Sequence, residues 1–282
     1  MSNGTVLFPS LRLPSEQAGT LLDLPRQKAG WEWMDFSVRR LQPGDTFRTH
    51  TEKEEAAFVI LGGSCVADWE QGKQKIGKRK NVFDGLPYTL YLPAHGGVSF
   101  TAETACEIAE CRVPTEARFE PKLITPEDMD TSLRGGSNIS RQIVDVLPSA
   151  FPADKLVVIE VYTPGGNWSS FPPHKHDTHT PPAEVDLDEI YYFRIAQPGG
   201  FALQHLYTDA NPDGRTVKAR DGDVVLVRDG YHAVVAGPGY DVYYLNFLAG
   251  SSRTLAVSED QQQTWIRNAW GTPDPRLPLV RK

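Results

Sequence analysis

The chain is 282 residues long, about two average domains, so burying a sizeable core poses no difficulty. Its formal charge is -7, and its lysines and arginines are scattered rather than gathered into a stripe, which argues against nucleic acid or anionic membrane as partners. Apolar runs fall short of the roughly 18 residues that cross a bilayer, Cys65, Cys106 and Cys111 lack a CxxC spacing, and the start MSNGTVLFPS has no charged-then-apolar build, so a reduced, cytoplasmic, globular protein is expected.

Glycines and prolines cut the chain into short segments that are β-branched or alternate apolar with polar. In order they read AAFVILGG, YTLYLPA and CEIAECRV, then LVVIEVYT, EIYYFRI, DVVLVRD, HAVVAG and DVYYLNFLAG. Strands of this length with regular punctuation predict barrels or sandwiches. Helical periodicity is confined to TPEDMDTSL at 125–133, with Thr125 as its cap, and to SEDQQQTWIRNAW near the end.

The segment SLRGGSNISRQ interrupts the strands at 132–142 and predicts a boundary near Gly135, giving domains 1–135 and 136–282. A loose repeat flanks it: a glycine turn, histidine and acid, an apolar strand, then a second turn with another histidine. Duplicated barrels account for this.

The stretch FPPHKHDTHT holds the densest histidine cluster. His174 and His176 are two apart, so on an extended strand both face one side while Lys175 faces the other. Glu189 opens the next apolar strand, and His232 follows a glycine turn. Three imidazoles and a carboxylate suit a divalent ion with positions left open for substrate; a set of solvated loop residues would read the same by spacing alone. His179 falls out of register and is expected at the surface. Of Gln204 and His205, which alternate, Gln204 is expected to face inward.

The stretches GNWSSFPPHKHD, EVDLDEIYYFRI, GFALQHLYT, DGDVVLVRDGYH and GYDVYYLNFLAG, with RGGSNISRQIVDVL before them, resemble the bicupin 5-deoxy-glucuronate isomerase family of inositol catabolism, over nearly the whole chain. The resemblance implies an all-β fold of two tandem cupin barrels (double-stranded β-helix, or jelly-roll) with a few short helices. It also implies one divalent metal ion in the C-terminal barrel, held by His174, His176, Glu189 and His232. The spacing from His176 to Glu189 is longer than in ordinary cupins, so Glu184 is a rival ligand, and Arg228 stands where many cupins have proline. In the first half Gly44, His50, Glu52, Glu55, Gly62 and His95 follow the pattern with an acid in place of one histidine, and a degenerate barrel is expected there.

The implied reaction is the aldose–ketose conversion of 5-deoxy-glucuronate to 2-deoxy-5-keto-gluconate through an enediolate, an intramolecular oxidoreduction. The small-molecule deoxy-uronate carries a carboxylate, for which Arg141 and Arg228 are the candidates, Lys175 and Arg194 being turned away by period-two counting. Gln204 is a further substrate-binding candidate. Glu184, Asp186, Tyr191, Tyr231 and Tyr244 are open as general base. Trp168, Phe171, Tyr191, Tyr192 and Phe193 are expected to fill the core. Zinc, manganese, iron, nickel and cobalt all fit such a ligand set. A homo-oligomer is expected. Rival readings are an iron-dependent cupin dioxygenase and a non-catalytic sugar-binding bicupin.

Overall fold

The computed structural model describes residues 5–282. Its strands form where the apolar, β-branched runs lie, and its helices are short: one α-helix at Arg26–Ala29 and three 3-10 turns among the described residues. Both stretches with helical periodicity shorten to such turns, Pro126–Asp128 and Thr264–Ala269. Thr125 caps the first as expected, closing a capping box with Asp128.

The chain divides into two compact units. One comprises Ser10–Met129, Ala150–Leu156 and Val280–Lys282; the other comprises Met1–Pro9, Asp130–Ser149 and Val157–Leu279. The expected boundary at Gly135 thus lies inside the second unit, because the strand Asp130–Arg134 pairs with Arg141–Leu147 across the glycine-rich turn. Gly135 makes that turn with φ 79°, and a Cβ there would sit 1.9 Å from the Ile139 carbonyl oxygen.

The mostly N-terminal unit has a six-stranded and a four-stranded sheet. Its interior is filled by Phe58, Leu90, Phe100 and Ile108, with the rings of Phe58 and Phe100 5.2 Å apart. The residues that follow the ligand pattern in this unit are not brought together. His50 is half exposed with Nδ1 3.4 Å from Glu52, and His95 is an exposed turn residue at φ 64°. Glu55 is fully buried, where its carboxylate accepts hydrogen bonds from the Tyr91 hydroxyl (2.7 Å) and from the backbone N–H groups of Asp154, Lys155 and Leu156 (2.7–2.8 Å). The acid in the ligand slot thus serves as a staple for the 154–156 backbone.

The mostly C-terminal unit sets a seven-stranded sheet beside a five-stranded one. The first runs Leu7–Phe8, Val224–Val227, Leu187–Ile195, Val242–Gly250, Val157–Thr163, Arg141–Leu147, Asp130–Arg134. The second runs Asn211–Ala219, Ala202–Thr208, Tyr231–Ala236, Trp168–Lys175, Ser258–Glu259. Inward residues of both sheets, among them Tyr191, Phe193, Leu206, Val225 and Val234, form one core cluster. Of the five aromatics expected there, Trp168 and Phe171 depart: both are only partly buried and meet edge to face at 5.5 Å, because the strand that carries them bulges at Ser170.

Replacing Glu55 by Ala leaves four donors without their acceptor in a dry interior. Thermal or denaturant unfolding is expected to show a loss of about 3 kcal/mol, with Glu55→Gln intermediate.

Candidate metal centre

The histidine strand owes its shape to its prolines. Pro172 and Pro173 have no N–H for the ladder, and the pairing with Tyr231–Ala236 breaks between Ser169 and His174. It resumes with His174 directly opposite His232, while His176 follows at the strand's end. Glu189 comes from the other sheet, on Leu187–Ile195. The rings of His174 and His232 lie 4.4 Å apart, those of His176 and His232 5.2 Å, and those of His174 and His176 6.1 Å. One ligand atom from each lies within 4.8 Å of the others, and among the described residues this is the one group of its kind. Bonds of about 2.1 Å to a shared ion need donors nearly this close.

The hydrogen bonds around these rings define the chemistry of the space between them. His176 Nδ1 lies 2.8 Å from the Leu187 carbonyl oxygen and must donate to it, which leaves Nε2 as an acceptor in the neutral ring. That nitrogen is 3.0 Å from Glu189 Oε2, itself an acceptor. His232 Nε2 lies 3.2 Å from the same oxygen, outside hydrogen-bonding angles, and neither ring nitrogen of this fully buried residue has a hydrogen-bond partner. Positive charge is what reconciles these groups: burial lowers the His176 imidazole but Glu189 more than offsets it and raises the group above its ordinary value, and a divalent cation answers the same need. Burial works to raise the Glu189 carboxyl, but the two imidazoles outweigh it and hold the group at about 2. Burial, then the neighbouring His232 and His176, holds His174 well below its usual value, so it too offers a lone pair. The residues fit a divalent metal.

The centre opens on a cavity of ≈ 620 Å³ inside this unit. Ser170, at φ 50°, points its hydroxyl between two phenols, 3.0 Å from the Tyr191 hydroxyl and 3.3 Å from that of Tyr244. Tyr191 stands 5.7 Å from the His232 ring and 4.9 Å from Tyr244. Burial raises the phenol of each, keeping both protonated. Arg141 lines the same cavity.

Several expected residues are elsewhere. Glu184 is engaged away from the imidazoles: its Oε1 accepts from Lys175 Nζ (3.0 Å) and from the Asp177 and Thr178 N–H groups (2.9 Å each), closing the HKHDT loop on itself. Asp186 bonds Ser251 and faces His179, which is exposed as expected. Tyr231 stacks on Tyr207 at 5.3 Å, outside the cavity. Arg228 reaches the Thr5 carbonyl instead of the cavity, because its strand neighbour Val227 takes the inward position. Gln204 is fully buried as expected and His205 bonds Thr216, yet Gln204 lies off the cavity wall with both amide atoms unpartnered. Lys175 and Arg194 face away, the latter onto Asp221.

The structure adds residues that sequence reasoning missed: Arg134, Ser170, Asn246, Arg267 and Trp270 all line the cavity. Counting register across the Gly135 turn would have found Arg134 opposite Arg141. Ser170 has no comparable signal, since its position depends on a left-handed backbone at a bulge.

Residues 10–266 match the KduI/IolB family. The chain belongs to this family. A 5-deoxy-glucuronate isomerase of Geobacillus thermodenitrificans is 41% identical over 255 residues, covering 90% of this chain and 93% of the relative. The Bacillus subtilis protein of the same name is 36% identical over 237 residues, covering 83% and 88%. An IolB-like protein from Salmonella typhimurium superposes with a TM-score of 0.89 at 34% identity, covering 93% of this chain and 99% of that one. Bacillus subtilis oxalate decarboxylase, at 14% identity and a TM-score of 0.64, covering 92% of this chain and 80% of that one, shares the tandem cupin fold. The KduI/IolB chain described here is accordingly all-β with cupin barrels.

His232→Ala and Glu189→Gln are expected to reduce bound divalent metal at least about tenfold, whereas Glu184→Gln retains it. Elemental analysis of purified variants checks this, and separates the two glutamates.

Proposed function

We propose that this chain is a metal-dependent aldose–ketose isomerase that converts 5-deoxy-glucuronate to 2-deoxy-5-keto-gluconate. The observation that carries the reading is the meeting of three imidazoles and one carboxylate at a cavity, in a chain 41% identical to a protein named for that activity. His174, His176, Glu189 and His232 are the proposed ligands. A divalent ion bound there supplies positive charge to oppose the oxyanion of an enediolate.

The chain's own groups do the rest. The interconversion shifts a proton between neighbouring carbons and another between their oxygens. Tyr191 and Tyr244 remain phenols at neutral pH and donate hydrogen bonds where negative charge develops. Ser170 fixes both hydroxyls on one side of the cavity. Of the five candidates for proton transfer, Tyr191 and Tyr244 line the cavity, and we assign the role to Tyr244, whose phenol faces the Arg141 charge while that of Tyr191 faces the Glu189 carboxylate. Arg141 is the proposed partner of the substrate carboxylate. Asn246, whose amide nitrogen donates to the Ile190 carbonyl (3.0 Å), turns its remaining polar group to the same space.

The partner in this reading is a small sugar acid. A homo-oligomer is part of the proposal, resting on the several sheet faces and edges that tandem barrels leave to cover. Cytoplasmic residence rests on three buried cysteines kept as free thiols.

Turnover is expected anaerobically and without nicotinamide, to be lost on chelation and to return with added metal. Oxygen consumption coupled to turnover would instead indicate the dioxygenase, and tight uronate binding without conversion the binding protein. Tyr244→Phe should lower kcat about 100-fold with KM little changed.

A further inference from the structure

Arg134 and Arg141 are direct register partners across two antiparallel strands, so two guanidinium side chains emerge side by side on one face. Like charges placed this way destabilise a sheet. The protein offsets them only in part: Asp145, on the Arg141 strand, attracts Arg134, but among the described residues neither arginine forms an ion pair, and Arg141 makes one hydrogen bond, from Nη1 to the Ile139 carbonyl at 3.3 Å. Asp130 and Asp145, on the same strands, pair with each other in register at the far end. Both arginines line the cavity that holds the histidines. Arg267 closes the group from the C-terminal 3-10 turn, held by Glu259 (Nε to Oε2 3.1 Å) and lying over the Trp270 ring. Since Glu259 neutralises Arg267, the surplus positive charge belongs to the cross-strand pair. Burial, and then the charges of Arg134 and Arg267 against the partial offset of Tyr244, push the Arg141 guanidinium below its ordinary value, as expected of a cation short of a counterion.

The pair shares the cavity wall with the metal centre but comes from strands set apart from it. In the seven-stranded sheet two strands, Val242–Gly250 and Val157–Thr163, separate that of Glu189 from that of Arg141. Three strand spacings amount to roughly 14 Å between backbones. An arginine side chain spans much of this, and the remaining gap, walled by Tyr191 and Tyr244, is on the scale of an open-chain six-carbon acid.

We infer that Arg134 and Arg141 form a two-guanidinium clamp that selects open-chain sugar acids whose carboxylate lies at the end remote from the reacting carbonyl, with Arg134 as a specificity-determining residue. This rests on the isomerase reading for its substrate, while the clamp is testable apart from it. Gly135 enables the clamp: a Cβ at this position would stand 3.0 Å from Arg141 Nη1.

The test uses metal-loaded protein and two matched pairs of compounds. The first is 5-deoxy-glucuronate against its neutral analogue with a primary alcohol in place of the carboxylate, followed by turnover. Wild type should prefer the acid by about 100-fold in kcat/KM, and Arg134→Gln and Arg141→Gln should each erode that preference by roughly tenfold or more, chiefly through KM; Arg141→Lys should keep part of it. The second pair is gluconate against glucitol, followed by calorimetric binding, which needs no turnover. Gluconate should bind more tightly, and both Gln variants should abolish the difference. Variants that lose acid and alcohol turnover in equal measure, or that bind gluconate as wild type does, overturn the clamp. A wild type that converts neither sugar yet discriminates gluconate through these arginines overturns the isomerase reading and leaves the clamp standing.

Discussion

The site depends on one electrostatic conflict: nitrogen and oxygen lone pairs from two sheets aimed at a common point. His176, bonded through Nδ1 to the Leu187 carbonyl, presents Nε2 to Glu189, and His232 brings an unpartnered nitrogen to the same oxygen. In a buried setting such an arrangement is costly unless positive charge occupies the centre. The barrel supplies the rigidity that keeps these groups together, since His174 and His232 are strand neighbours and Glu189 is anchored in a sheet paired on both sides. Binding an ion and completing this barrel are therefore linked.

The two units answer the same pattern differently, and one side chain shows why. Both carry an acid near the start of a long apolar strand, Glu55 in one and Glu189 in the other. Around Glu189 stand imidazoles, whereas around Glu55 stand a phenol and three backbone amides. A carboxylate surrounded by donors is already satisfied and has no capacity left for a cation. Aromatic and aliphatic side chains fill the space where a substrate would sit.

Much of this was legible in the residues. Period-two counting placed His174 and His176 together, turned Lys175 and Arg194 away and buried Gln204 in preference to His205, because strand alternation is a local rule. Strand length and punctuation pointed to barrels or sandwiches, the repeat to duplicated barrels, and the family resemblance to cupins. What escaped depends on the third dimension. Glu184 and Glu189 could not be separated by spacing, since the choice turns on a loop that folds back so that Asp177 and Thr178 donate to Glu184. Arg228 seemed suited to the substrate because it borders the His232 turn, but alternation from Val227 sends it outward. Ser170 depends on a backbone excursion that only the bulge explains.

The edge strand Leu7–Phe8 pairs with Val225 and Val224, so the outermost rung of the barrel that holds the histidines comes from a distant part of the polypeptide. During synthesis these residues leave the ribosome more than two hundred positions before their hydrogen-bonding partners. The barrel edge can be sealed only after Val224 and Val225 have been made, which makes its closure a late step in maturation and couples the integrity of the segment at Leu7–Phe8 to a pocket built from residues far along the chain.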